Sequence, residues 1–409
     1  MAVYLWRWLE PRRLFWLAAF VGASLVLATV VMALSSEGLI LPNGKVLGGD
    51  FLAFWSAGRM TLDGQIGAIH DNASIYAVHK AVAPDLQGVY LWHHPPTFLL
   101  VAVALALLPY LAAAALWLGV SCLAYGVATR TAFKDPRALV FAFAAPAAAM
   151  QLGRLQTGLV TAALMGVALL KVRERPIASG AMIGLFALKP HIAVLFPLAL
   201  ATAGRWRAFA AAAVTAALLC GAAYLAFGLE AYEHFFTNLA HAQRLVSEQE
   251  IASGTYASLF SNLRGLGMAT WSAGLVHGLS ALAATTLVVK LWRRGTGPFA
   301  AAALAAGSAL ISPYLFHYDL TVLLVAAALL VRAVGWDGLS PGERLAVVFA
   351  WAVPVLILSI GKHLSLPLSA VSAWALIVVA WRRAEAAPAP GIIAPAGVET
   401  QTETPITTI

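Results

Sequence analysis

Residues 14–34, LFWLAAFVGASLVLATVVMAL, decide the class of fold because they run for 21 residues without a charged side chain. A helix needs about 20 apolar residues to cross the ~30 Å hydrocarbon core of a bilayer. Arg7, Arg12 and Arg13 precede the run, which also allows a secretory signal, although the apolar part of a signal is normally only about 7–15 residues long. The length predicts an uncleaved first membrane span, and a weak cleavage site at residues 33–36 is the alternative.

The composition of the whole chain extends this interpretation. Of the 409 residues 61% are hydrophobic and only 11% are charged, against roughly a quarter charged in soluble proteins. That excludes a soluble globular enzyme and a disordered chain, and the net charge of +8 is too dispersed for a nucleic-acid-binding stripe. Cys122 and Cys220 lie inside apolar runs, so no disulfide framework is expected. The sequence predicts an all-α polytopic membrane protein.

Apolar runs predict a bundle of about twelve transmembrane helices, several of them short for a bilayer. They lie near 14–34, 110–129, 137–152, 157–170, 177–188, 191–203, 207–227, 268–289, 298–313, 318–333, 345–360 and 366–381. A further apolar run at 95–108 has only 14 residues and opens with Pro95-Pro96.

The distribution of Lys and Arg decides whether that short run crosses the membrane. If it does not cross and the N-terminus is cytoplasmic, 18 of the 26 basic residues lie inside and 8 outside; if it crosses, the numbers reverse. The positive-inside rule favours the first topology, so 95–108 is expected to be re-entrant or to lie along the surface. Both termini are then cytoplasmic, in a multi-pass protein of a bacterial-type inner (plasma) membrane.

This topology creates two large outer loops, at about 35–110 and 228–267, within a single domain over residues 1–383. The first loop contains two short amphipathic helix candidates, one beginning at Asp50 and one over residues 72–83. The tail, residues 384–409, is rich in Ala, Pro and Thr and is expected to be disordered and cytoplasmic.

Polar residues collect on the outer side of this topology, where burial near lipid requires a partner or a purpose. Nine of the ten histidines are placed there: His70, His79, His93, His94, His191, His234, His241, His317 and His363. His93 and His94 are adjacent, but two imidazoles are weak evidence for a metal, and no metal or cofactor is predicted. The chain also lacks a P-loop and a dinucleotide-binding glycine motif.

Four outer segments are candidates for function, and each has a structural alternative. Asp50 is either a general base at the membrane surface or a helix N-cap. His317-Tyr318-Asp319 is either a substrate-binding cluster or an interfacial tyrosine with a capping aspartate. Lys189 and Arg154 either bind a phosphate at headgroup depth or extend toward the interface from the ends of spans.

Several of these residues, taken in order, resemble the polyprenol-phosphate-mannose-dependent α-1,2-mannosyltransferases, glycosyltransferase family 87. The resemblance covers about residues 45–380. Its motifs are Asp50-Phe51 through Ala57-Gly58-Arg59 to Gly64, Ile75-Tyr76, His94-Pro95-Pro96, Leu107-Leu108-Pro109 with Trp117, Gln156, Lys189-Pro190 and His317-Tyr318-Asp319. The family's usual aromatic residue before the two prolines is His94 here, and its usual Gly-Gln pair is Leu155-Gln156.

The resemblance implies a GT-C fold that transfers a hexose, mannose in this family, from a polyprenyl-phosphate donor to a hydroxyl of a glycolipid or glycan. Transfer would be inverting and would take place on the outer face of the membrane. Asp50 is the implied catalytic base. The implied substrate-binding residues are His317, Lys189, Arg59, Arg154, Gln156, His94, Tyr318 and Asp319.

Three other readings remain open from the sequence. Arabinofuranosyl or other pentosyl transfer is the near alternative within the same fold. A lipid-sugar flippase would carry its ionisable groups near the bilayer midplane, whereas most charges here lie at the ends of spans. A non-catalytic scaffold would turn over no polyprenyl-phosphate sugar.

Overall fold

The computed structural model describes residues 9–247, 256–361 and 364–386, and the regular structure in these ranges is helical. An all-helical architecture is what a membrane core demands, because a helix satisfies its own backbone hydrogen bonds away from water. His363 and most of the predicted tail lie outside the described residues. The last helix runs to Ala386, so the first three residues of the predicted tail, 384–386, are helical.

The first half of the chain alternates long and short helices. They are α1 Pro11–Leu34, α2 Phe51–Leu62, α3 Asn72–Val82, α4 Pro96–Ala106, α5 Tyr110–Ala132, α6 Arg137–Phe143, α7 Pro146–Arg154, α8 Gly158–Lys171, α9 Pro176–Gly184 and α10 Leu195–Thr202. Two 3-10 turns, Leu185–Leu188 and Pro190–Ile192, separate α9 from α10. Two short helices, α2 and α3, lie where the sequence predicted short amphipathic helices; that they belong to an outer loop stays a prediction.

The second half also contains long helices. They are α11 Trp206–Phe227, α12 Glu230–Ser247, α13 Leu259–Gly265, α14 Thr270–Arg294, α15 Pro298–Ile311, α16 Thr321–Val334, α17 Pro341–Leu356 and α18 Leu368–Ala386. A 3-10 turn, His317–Leu320, leads directly into α16. Residues 357–361 continue α17 as a π-helical turn.

Proline sets the start of six of these helices. Its fixed φ suits the first helical position, where the missing N–H has no intrahelical acceptor to lose. The prolines are Pro11, Pro96, Pro146, Pro176, Pro298 and Pro341. Pro146 also divides the predicted span 137–152 into α6 and α7.

Among the described residues, six helices are long and apolar enough to cross a membrane: Pro11–Leu34, Tyr110–Ala132, Trp206–Phe227, Thr270–Arg294, His317–Val334 and Pro341–Ile360. Four shorter apolar helices accompany them, and the predicted total of about twelve spans stays a prediction. The run at 95–108 forms α4, whose 11 residues rise only about 16 Å. That length agrees with a segment that does not cross a ~30 Å core.

Two apolar cores organise the molecule. The larger one is centred on α15, whose residues from Ala300 to Leu310 are all buried; its alanines allow neighbouring helices to approach closely. The smaller one belongs to the segment between α1 and α5 and packs α2 on α4 around Phe54, Phe98 and Trp117. The loop that follows α1 is therefore a folded unit with its own core.

Candidate active site

Two glycines bring the start of α2 against the end of α7. Gly48 and Gly49 adopt φ of 91° and 53°, a left-handed conformation that side chains other than glycine rarely take. A Cβ on Gly49 would lie 3.1 Å from the carbonyl oxygen of Gly153 and 3.2 Å from Cα of Arg154. The close approach places Asp50, the next residue, beside Arg154.

Asp50 uses its carboxylate to bind residues far along the chain. One oxygen, Oδ2, accepts a hydrogen bond of 3.1 Å from Nε2 of Gln156, and Oδ1 lies 3.7 Å from a guanidinium nitrogen of Arg154. Asp50 has helical φ and ψ and its side chain caps no backbone N–H of α2. The carboxylate keeps 21% of its surface exposed, so it is held in place and open to a ligand.

A second cluster is formed by a buried ion pair. Nζ of Lys189 lies 2.5 Å from Oδ1 of Asp319 and donates a 3.0 Å hydrogen bond to Oγ1 of Thr157. The side chains of Lys189 and Asp319 are 7% and 0% exposed. In this arrangement the charge of Lys189 is already balanced by a carboxylate.

Tyr318 joins the two clusters. Its ring centroid is 6.0 Å from Cζ of Arg154 and 5.5 Å from Nζ of Lys189, within the range of cation–π attraction. His317 packs edge-on against the same tyrosine, with ring centroids 5.5 Å apart, and is 2% exposed. The 3-10 turn before α16 thus meets the ends of α2, α7 and the segment around Lys189.

His94 lies among aromatic rings next to the Lys189 segment. Its imidazole stacks on Phe98 at 4.5 Å between centroids and meets Phe54 edge-on at 4.8 Å. Burial, followed by the charge of Lys189, holds the pKa of His94 well below its ordinary value. The neutral ring packs as an aromatic side chain against Phe54 and Phe98, and it also donates a hydrogen bond to the carbonyl of Leu188.

Arg59 is not part of this arrangement. Its guanidinium binds Asp63 one turn further along α2, and both side chains are exposed. An i,i+4 pair of this kind is common on a helix surface. The structure therefore does not bring Arg59 to Asp50, although the sequence placed both in one candidate site.

Gln151, which the sequence reasoning did not single out, completes the site together with Leu155, which the sequence marked only as a departure from the family's usual glycine. Gln151 lies inside the predicted span 137–152 and hydrogen-bonds the backbone of Tyr318 and Gly158. Leu155 has φ 49° and ψ 40°, the conformation that explains why glycine is usual there. Within the described ranges no group of three or more His, Cys, Asp or Glu side chains is arranged to hold a metal ion.

Comparison with known proteins gives one match. A model of glycosyltransferase family 87 matches residues 92–313, more than half of the chain, and this range includes His94, Arg154, Gln156 and Lys189. Asp50 precedes this range by 42 residues, and the turn from His317 begins four residues after it. No curated protein and no solved structure matches the chain.

Proposed function

Since the chain belongs to glycosyltransferase family 87, we propose that it transfers a hexose, mannose by resemblance, from a polyprenyl-phosphate donor to a hydroxyl of a glycolipid or glycan. The reaction would take place on the outer face of the membrane and invert the anomeric centre. The observation that carries the proposal is the partly exposed Asp50 carboxylate, fixed by Gln156 and Arg154 beside Tyr318.

The proposed reaction is a single displacement. The acceptor oxygen attacks the anomeric carbon, the bond from that carbon to the phosphate oxygen breaks, and polyprenyl phosphate leaves. Asp50 Oδ1, the oxygen not bonded to Gln156, takes the hydroxyl proton as general base, an effect typically worth about 10²–10⁴-fold. Water then removes the proton from the carboxyl group.

The leaving phosphate needs positive charge more than it needs an acid, because it departs as an anion. Arg154 is the better-placed cation: its side chain is 32% exposed and 3.7 Å from Asp50, so a phosphate can compete for it. Lys189, which is buried behind Tyr318, also contributes positive potential at the site, although its pairing with Asp319 reduces that contribution. Preorganised charge of this kind is often a large catalytic contribution.

Gln156 has a free acceptor to offer the sugar. Its Nε2 faces the Asp50 carboxylate, which can only accept, so Oε1 must point away. Among the residues that the structure describes, that buried Oε1 finds no hydrogen-bond partner. A hydroxyl of either substrate would satisfy it, which supports the substrate-binding role for Gln156.

Asp50→Asn tests the proposal directly. The amide keeps the shape of the side chain but cannot accept the proton, so turnover should fall by about 10²-fold or more. Donor binding should change little, because a base acts mainly in the transition state. Purified protein is assayed with polyprenyl-phosphate mannose, glucose and arabinofuranose, following released polyprenyl phosphate.

Asp63→Asn is the matched control, since Asp63 is an exposed acid at the far end of the same helix and binds Arg59. It should retain near-normal turnover. If only polyprenyl-phosphate arabinofuranose is turned over, the transferred sugar is a pentose and not a hexose. If no donor is turned over, the proposed function is rejected. An Asp50→Asn protein with most of its activity would remove Asp50 as the base.

A further inference from the structure

Gln151 is a buried amide that joins three separate parts of the candidate site. It lies on α7, is 1% exposed, and uses both ends of its side chain. Nε2 donates a 2.9 Å hydrogen bond to the carbonyl oxygen of Tyr318, and Oε1 accepts a 3.2 Å bond from N–H of Gly158. The first of these bonds connects residues 167 positions apart.

Each partner of Gln151 is adjacent to a residue of the site. Gly158 follows Thr157, which accepts from Lys189, and Tyr318 precedes Asp319. A Cβ on Gly158 would overlap the amide of Gln151, so glycine is needed for this contact. A second hydrogen bond connects the same elements: Oγ1 of Thr321, on α16, donates a 3.0 Å hydrogen bond to the carbonyl of Gly158. We call this contact between Gln151, Gly158, Tyr318 and Thr321 the joint.

Few side chains could replace Gln151 at this contact and keep both hydrogen bonds. The N–H of Gly158 can only donate and the carbonyl of Tyr318 can only accept, so the side chain between them must supply one acceptor and one donor. Glutamate keeps the acceptor and loses the donor, while methionine has similar length and supplies neither strong hydrogen bond. A buried carbonyl or N–H left without a partner is costly.

We propose that Gln151 is a positioning residue for glycosyl transfer, which rests on the proposed function of Asp50 as the base. Arg154 and Gln156, the two residues that hold Asp50, lie three and five residues beyond Gln151. The Gln151 amide holds the end of α7, with Arg154 and Gln156, against the 3-10 turn that carries Tyr318. It also holds that end of α7 against Gly158, the neighbour of the Thr157 that binds Lys189. A displacement of about 1 Å in such an arrangement can cost about 10²-fold in rate.

Gln151→Met and Gln151→Glu test the proposal, with Trp292→Phe as the control. Trp292 is also buried and donates a 2.9 Å hydrogen bond to a backbone carbonyl, that of Ala300, at the end of α15 away from the site. All three variants should lower the thermal unfolding temperature. Only the Gln151 variants should lower kcat, by about 10²-fold for Met and less for Glu, with both KM values within about threefold.

Combining Gln151→Met with Asp50→Asn distinguishes an effect of Gln151 on the position of the base from a general loosening of the fold. If Gln151 acts through the base, Gln151→Met should reduce kcat no more than about threefold further once Asp50 is asparagine, because residues that act as a unit are not additive. A full additional loss in that background would overturn the proposal. So would a kcat for Gln151→Met close to that of Trp292→Phe.

Failure of the proposed function gives a different result. It is judged on the unaltered protein, by whether any polyprenyl-phosphate sugar is turned over. If a nucleotide sugar is used instead, the donor assignment is wrong and the Gln151 comparison is made on that donor. If neither Gln151 variant folds, Thr321→Val loosens the same joint from α16 and should lower kcat by about tenfold; an unchanged kcat there would contradict positioning.

Discussion

At the scale of single residues, the pairing of Lys189 with Asp319 determines how the lysine can act. Both side chains are buried, and removing one partner of a buried pair typically costs about 3–5 kcal/mol because the other charge is left uncompensated. A simple truncation of Lys189 would therefore confuse lost stability with lost substrate binding. The role of Lys189 has to be tested with its charge partner neutralised as well.

We predict that Lys189→Met is strongly destabilised, and that Lys189→Met with Asp319→Asn regains most of the lost thermal stability but not donor affinity. The neutral pair removes the uncompensated charge, whereas the donor phosphate still lacks a cation beneath it. Thermal unfolding and the KM values for donor and acceptor make the distinction. A donor KM near normal in the double variant, with a raised acceptor KM, would assign Lys189 to the acceptor.

Leu155 is held in a conformation that glycine adopts more readily. Its φ of 49° lies in the left-handed region, which costs other residues about 1–2 kcal/mol, and its carbonyl accepts a 2.8 Å hydrogen bond from Trp117. We predict that Leu155→Gly is more stable than Leu155→Ala by roughly 1 kcal/mol, since both lose the same packing and only alanine keeps the strain. Thermal unfolding of the two variants measures the difference.

Leu159 provides the comparison for that pair. It is fully buried in α8, in ordinary helical conformation, where glycine is about 1 kcal/mol worse than alanine. The order of stability for Gly and Ala should therefore reverse between positions 155 and 159. The same order at both positions would mean that Leu155 carries no strain.

At the scale of helices, the fold of the segment between α1 and α5 depends on the contact between α2 and α4. A Cβ at Gly58 would overlap the backbone carbonyl of Ala102 and lie 2.9 Å from Cβ of Ala106. We predict that Gly58→Ala lowers thermal stability by an amount equivalent to about 1–3 kcal/mol, as overpacking of a core does, and lowers turnover because α2 carries Asp50 at its start.

Gly119→Ala is the matched control for Gly58→Ala. Gly119 lies in the interior of α5 with no neighbouring atom within 4 Å of an added Cβ. Alanine is the better helix former there by about 1 kcal/mol, so Gly119→Ala should be neutral or stabilising. Equal behaviour of the two variants would show that α2 and α4 can separate without cost.

The helices of this protein are easier to predict from sequence than the joints between them. Apolar runs and proline starts locate α1, α2, α3 and α11 within a few residues, because hydrophobicity and proline geometry are local properties. Pro146 and Pro190 mark breaks in the apolar runs, but the packing of the helices and 3-10 turns on either side depends on residues far along the chain, which the sequence does not show. In the described part of the chain six helices are long and apolar enough to cross a membrane, and the total of about twelve spans stays a prediction.

For the candidate site, too, some features can be predicted from sequence and others cannot. The distribution of basic residues predicts a shared outer side for Asp50, Arg154, Lys189 and His317, but it does not predict which side chains they contact. Gln156 and Asp50 are 106 positions apart and Lys189 and Asp319 are 130 apart, so these pairs exist only in the folded chain. Gln151 was overlooked because a single amide in a predicted span resembles an ordinary polar interruption.

At the scale of the whole molecule, the orientation in the membrane links the site to its substrates. α11 has 22 residues and rises about 33 Å, enough to connect the two faces of a ~30 Å core. Exposed Arg207 lies at one end of it, and exposed Thr237 lies on α12, just beyond the other end. We predict that Thr237 faces outside and Arg207 faces the cytoplasm, from the excess of basic residues on one side.

Cysteine labelling in intact cells measures this orientation. With Cys122 and Cys220 replaced by serine, a membrane-impermeant maleimide should modify Thr237→Cys and not Arg207→Cys. Both should react after solubilisation in detergent, which shows that each cysteine is accessible once the membrane barrier is gone. The reverse pattern would place Asp50, Lys189 and His317 on the cytoplasmic face, because they share a side with residue 237 in this topology. An acceptor on the outer surface would then be out of reach of the proposed base.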